Sequence, residues 1–184
     1  VGPWLHGLFD RVVGEVDFGP GVSLDAVNLG GMHLKWFDHC LKGELERSAP
    51  VRIFVMGPNV WRNENEWPLA RAVATKYYLA SDGQANSLRG DGQLLSESAR
   101  SNISRESETY DTFLYDPEHP VPSWGGSTLF PGAHSAGPRD QRSVEERDDV
   151  LIYTSAPMIR PTEVTGPIQA VIYAATDGRD TDFT

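Results

Sequence analysis

Five histidines are the first residues to weigh for chemistry, since imidazole changes charge near neutral pH and serves as base, acid or metal ligand. His6 lies in Gly2-Pro3-Trp4-Leu5-His6-Gly7, an aromatic and glycine-rich loop. It could act as a general base once a hydroxyl nucleophile reaches it, but nothing beside it in the chain supplies one. His33 and His39 stand six residues apart in a helical pattern, off the i, i+4 spacing that turns two imidazoles toward one metal. They read as packed or solvated helix residues. His119 and His134 fall in Pro/Gly loops and read as surface residues. A hydrolase serine of the Gly-x-Ser-x-Gly type needs glycines on both sides to sit in its sharp turn. The nearest approach, Gly132-Ala133-His134-Ser135-Ala136-Gly137, has Ala133 where the first glycine belongs, so it reads as an exposed turn. Cys40 is the only cysteine, which excludes an intrachain disulfide and a cysteine-based zinc site, and favours a reducing compartment such as the cytoplasm. Asp177, Asp180 and Asp182 depart from the calcium-loop spacing and read as an acidic turn. No metal and no cofactor is expected.

The elements that must carry these residues change character along the chain. Ser23 or Asp25 caps a helix predicted to run to about Leu45, with Val27, Leu34, Phe37 and Leu41 on one apolar stripe widened by Trp36 and Cys40. Gly43 marks its end, with Glu44-Leu45-Glu46 as an optional last turn. Gly30-Gly31 inside it suggests close packing against another element, since glycine there costs about 1 kcal/mol per residue relative to alanine. Pro50 to Gly57 is almost continuously apolar and reads as a strand buried on both faces, as in a parallel α/β sheet. From about Ala70 the helical period disappears. Strands are predicted at Lys76–Leu79, Gln93–Leu95, Thr109–Tyr115, Val150–Thr154 and Ile168–Ala175, separated by turn clusters such as Arg89-Gly90-Asp91-Gly92. The fold class is therefore an α/β piece followed by an all-β sandwich, with the boundary near Trp67-Pro68-Leu69.

Composition narrows the partners. The 184 residues carry 16 Lys plus Arg against 26 Asp plus Glu, a net charge of −10 that would repel nucleic acid and anionic membranes. No hydrophobic run approaches a membrane span. Val1 in place of a start methionine, and the abrupt stop at Thr184, suggest a piece of a longer protein.

The Gly2-to-Gly7 segment resembles the Gly-Pro-Trp-x-His segment of the cocaine esterase and X-Pro dipeptidyl-peptidase family of serine hydrolases. Collinear motifs extend the resemblance. Trp36 to Gly43 resembles the helix after the catalytic histidine. Pro50 to Gly57, with Trp61-Arg62 and Glu66-Trp67-Pro68, is similar to the last strand and exit of the hydrolase domain. Tyr115-Asp116-Pro117, Pro120 to Ser123, Gly125-Gly126, Asp140 to Arg142, Arg147 to Leu151, Glu163 to Gly166 and Asp180 to Thr184 resemble the C-terminal jelly roll.

That resemblance implies an architecture and a mechanism. Residues 1–69 would be the C-terminal part of an α/β-hydrolase domain, and residues 70–184 the first part of a galactose-binding-like jelly roll. His6 would be the catalytic base, with the serine, the triad aspartate and the oxyanion hole upstream, in keeping with the Ser, Asp, His chain order of such hydrolases. Leu129 and Phe130 would line the acyl pocket. The expected substrate is a small ester or peptide, homo-oligomers are compatible with the chain, and the fragment by itself should be inactive. The competing expectation is a non-catalytic sandwich that binds carbohydrate or protein, for which Trp124 with Asp116 and Glu118 is the candidate rim.

Overall fold

In the computed structural model, which describes residues 1–6, 9–43, 49–101, 109–126, 136–181 and 183, the chain opens on a small antiparallel hairpin. Its strands β1 (Val12–Val13) and β2 (Val16–Asp17) pair Val13 with Val16 around a two-residue turn. Gly14 takes φ 59° there, a conformation open to glycine at little cost. A 3-10 turn at Pro20–Val22 follows.

The expected single helix is two. Ser23 caps α1 (Leu24–Val27), its Oγ accepting from the Ala26 N–H at 3.3 Å. Asn28 then adopts φ 52° and its side-chain oxygen accepts from the Gly31 N–H at 3.2 Å, so one residue ends α1 and caps α2 (Leu29–Lys42). Gly31 faces that cap: a Cβ on it would lie 2.5 Å from the Asn28 amide, whereas one on Gly30 would meet nothing. Gly31 thus accommodates a cap, and neither glycine packs against a neighbouring element. Gly43 terminates α2 with φ 71° and its N–H on the His39 carbonyl, as predicted. Residues 44–48, which hold the optional last turn, lie outside the described residues. The apolar stripe is not covered: Leu34, Trp36, Phe37 and Leu41 are 58–80% exposed, and α2 buries no residue.

The strand expected in a parallel sheet is instead one arm of a hairpin. β3 (Val51–Val55) pairs antiparallel with β4 (Val60–Glu64), from Val51 opposite Glu64 to Val55 opposite Val60. Only Ile53 of β3 is buried. The tight turn through Gly57, at φ 93°, and Asn59, at φ 53°, returns the chain at once, whereas a parallel neighbour requires a long crossover. The N-terminus joins the other side of β3, where the Phe54 N–H donates to the Val1 carbonyl at 3.0 Å.

These pieces close on a core of Val13, Phe18 and Val22, with Leu5, Val16, Phe54 and Trp61 packed around it. Phe54 meets Phe18 and Trp61 edge-on at 5.8 and 5.3 Å, geometry that aromatic quadrupoles favour.

After residue 70 the described helices are single four-residue turns, α3 (Glu97–Arg100) and α4 (Arg142–Glu145). β5 (Tyr77–Ala80) and β6 (Gln93–Ser96) form an antiparallel pair close to the predicted positions. The predicted strand at Val150–Thr154 runs beside residues 85–94, with isolated bridges at Leu151 and Thr154. Thr109–Tyr115 and Ile168–Ala175 form no ladder among the described residues. Asp111 is nevertheless held by the Ser81 and Tyr153 hydroxyls at 2.5 and 2.6 Å and by the Ala85 N–H at 2.9 Å. Tyr153 is pushed well above its ordinary range, by burial first and by the Asp111 carboxylate second. Among the described residues no helix is long and apolar enough to cross a membrane.

Candidate functional site

His6 projects from the edge of the aromatic core. Trp4 fixes the approach: its indole N–H donates to the Val22 carbonyl at 2.8 Å, and its ring contacts Phe9 and Trp61 at centroid distances of 5.4 and 5.6 Å. Leu5 packs on the Val13–Phe18–Val22 cluster. The next residue turns outward, so His6 is exposed while its two predecessors are anchored. No side chain among the described residues hydrogen-bonds its ring. An imidazole on a fixed base with its ring free can accept a proton, but it needs a nucleophile and an orienting acid brought to it.

The other histidines do not assemble with it. His33 and His39 are exposed on α2, where His39 lies beside Trp36 at 6.3 Å. His119 forms a pair that sequence reasoning missed: its Nδ1 is 2.8 Å from Asp116 Oδ2, and Arg147 donates to its carbonyl at 2.7 Å. The i, i+3 spacing across Asp116-Pro117-Glu118-His119 was the available signal. Asp116 is held below its ordinary range by His119 first and by the Glu118 N–H second. Both side chains are largely exposed, which makes this a surface turn. His134, Ser135, Leu129 and Phe130 lie outside the described residues, as does Asp182. Among the described residues no group of three His, Cys, Asp or Glu is placed to hold a metal.

The candidate sugar rim is exposed, and two of its residues already carry polar partners. The Trp124 indole N–H donates to the Asp140 carbonyl at 3.1 Å and its ring carries the Arg139 guanidinium at 5.2 Å, while Asp116 is engaged by His119.

A charged cluster ties early and late segments together. Glu64, 7% exposed, accepts from Arg62 and Arg71, and Arg62 reaches on to both carboxylate oxygens of Glu163 at 2.9 and 2.6 Å. The Arg71 guanidinium, then Arg62, holds Glu64 down to about 2. Arg62, then the Thr165 hydroxyl, does the same to Glu163, also about 2.

Residues 43–184 match the family described as the X-Pro dipeptidyl-peptidase C-terminal non-catalytic domain. The whole chain aligns with cocaine esterase of Rhodococcus sp. (strain MB1 Bresler), at 40% identity over 187 residues covering 31% of that protein. A protein of Mycobacterium bovis and another of Mycobacterium tuberculosis, each named as a candidate serine esterase, are 28% identical over 186 residues and 26% of their lengths. The chain thus spans about a third of the first relative's length and about a quarter of the others'. His6 falls ahead of the non-catalytic match, within the segment aligned to the esterases.

Proposed function

This chain belongs to the X-Pro dipeptidyl-peptidase C-terminal domain family and is a relative of cocaine esterase, and from that premise we propose that the full-length protein is a serine hydrolase of esters with His6 as its base. The observation that carries the reading is the alignment of the entire chain, histidine loop included, with an esterase at 40% identity. In this reaction an upstream serine loses its proton to His6 as it attacks the acyl carbon. His6 then protonates the leaving alcohol, and afterwards takes a proton from the water that releases the acid. A serine hydroxyl, with its high pKa, is a weak nucleophile without such a base.

We place the last part of the hydrolase in residues 1–69 and a jelly-roll sandwich of the galactose-binding type in residues 70–184. The family match begins earlier, at residue 43. Packing of Phe54 and Trp61 on Phe18, Val22 and Trp4 supports counting the β3–β4 hairpin with the upstream part. The body of the hydrolase, with its nucleophile, lies outside this chain. Leu129 and Phe130 are the proposed acyl-side wall.

A fluorophosphonate probe, which traps activated serines, tests the reading. It should label the full-length protein and leave the 184-residue chain unlabelled. Labelling of the short chain that disappears in Ser135→Ala would place the nucleophile in the Gly132-to-Gly137 segment instead.

A further inference from the structure

The turn between β1 and β2 is set into the late part of the chain by backbone contacts that leave no room for side chains. A Cβ on Gly14 would collide with the Pro138 carbonyl oxygen, and one on Gly137 would lie 2.7 Å from the Gly14 nitrogen and 3.1 Å from Val13 Cγ1. The Glu15 N–H donates to the Pro138 carbonyl at 3.0 Å. Gly137 is held in turn by Gly126, with which it exchanges two hydrogen bonds at 3.0 and 2.8 Å. Val13, against which this backbone packs, is 2% exposed and belongs to the core on which the histidine loop rests.

Glu15 fastens this seam. One carboxylate oxygen accepts from the Asp140 N–H at 3.1 Å and the other from Arg139 Nη1 at 3.3 Å. Most exposed ion pairs contribute little, but this one differs on its arginine side. The Arg139 side chain is only 14% exposed, and its guanidinium lies over Trp124 at 5.2 Å. Glu15 is its carboxylate partner among the described residues, so removing Glu15 leaves a mostly buried cation uncompensated and releases the Asp140 N–H.

Two packing steps lead from the seam to the imidazole. Gly137 packs on Val13, and Leu5, the residue before His6, packs on the Val13–Phe18–Val22 cluster. Trp4 is bonded to the same cluster through the Val22 carbonyl. The platform from which His6 projects therefore includes the hairpin, and residues 137–140 fix that hairpin at its turn. We propose that Glu15 is a positioning residue for His6: it pins the hairpin turn and so holds the imidazole where it takes up a proton, a role that rests on the reading of His6 as the base. Residues 137–140 fall within the match to the non-catalytic domain, which thereby contributes to catalysis by bracing the base. Displacing a base by about 1 Å costs up to about 10²-fold in rate, whereas substrate binding need not change.

A double-mutant cycle between Glu15→Ala and His6→Ala in the full-length protein tests this. The readouts are kcat and KM for p-nitrophenyl acetate, measured well below the Tm of every variant. With His6 present, Glu15→Ala should lower kcat by about tenfold and leave KM within about twofold. Glu15→Gln, whose amide oxygen can still accept from Arg139 or Asp140, should recover most of the loss. In the His6→Ala background, where no base is left to misplace, Glu15→Ala should change nothing further. Arg139→Met opens the seam from its late side and takes the place of Glu15→Ala if that variant does not fold. Wild-type kcat in Glu15→Ala, or an equal loss in both backgrounds, would overturn the proposal, because a general loosening acts whether or not the base is present. Wild-type turnover in His6→Ala would instead overturn the reading of the base, and with it the role of Glu15. A deep loss in His6→Ala beside a normal Glu15→Ala removes only the latter.

Discussion

Glu64 is the residue whose surroundings are furthest from what its place in the sequence suggests. Within a run of polar residues it is nevertheless buried, with a guanidinium from its own strand and another from seven residues on. Its carboxyl is depressed from 4.5 to about 2, so the charged form is favoured in the folded state. Its stabilising contribution is therefore fully present above pH 4.5 and is lost as the pH falls toward 2. Glu64→Gln in the full-length protein should lower Tm at pH 6, and the gap to wild type should narrow as the pH drops through that window. A gap that stays constant down to pH 2 would show that the charge contributes nothing. Asp140, held to about 2 by Arg142, is an exposed counterpart and should matter less because solvent screens it.

At the scale of elements, Asn28 is the most informative position. An asparagine in a left-handed conformation with its side chain capping the next helix serves two termini at once. Asn28→Ala should destabilise the full-length protein by about 1–2 kcal/mol, combining a lost cap with a strained backbone. Asn28→Gly should cost only about a few tenths, since glycine accepts the conformation and is a fair cap. Urea unfolding of both variants checks this, and equal losses would contradict the capping role. The outer signals of this helix were legible: Ser23 and Gly43 have local chemistry that acts within three or four residues. The break at Asn28 was not, because an apolar period of 3.6 runs across it and covered the preference of asparagine for caps and left-handed helix ends. The same limit explains β3. An apolar run reports a tendency to bury, not the direction of the neighbouring strand, and the turn at Gly57-Pro58-Asn59 decided that. Leu34, Phe37 and Leu41 likewise announce a face suited to burial without naming its cover. Thr109–Tyr115 and Ile168–Ala175 have strand composition, but a ladder depends on a partner at long sequence separation, which local pattern does not contain.

For the whole molecule, the decisive relations are long-range. Arg62 reaches Glu163 across 101 residues, and Glu15 reaches Arg139 across 124. Neither pairing could be read from spacing, since any exposed arginine is a plausible partner for any carboxylate. The reading of the histidine loop rests on something else: its residues form a motif, while physics alone left His6 without a nucleophile. Its geometry now has a cause, in Trp4 and Leu5 pinned to the core two residues and one residue before an exposed ring. The central claim is that this ring is the base of an ester hydrolase. It is tested most directly by kcat, KM and Tm for His6→Ala in the full-length protein, beside His33→Ala and His39→Ala. Loss of the base should lower kcat by at least about 10², with KM and Tm little changed and both helix variants close to wild type. A His6→Ala protein that keeps more than about a tenth of wild-type kcat would show that the base is elsewhere.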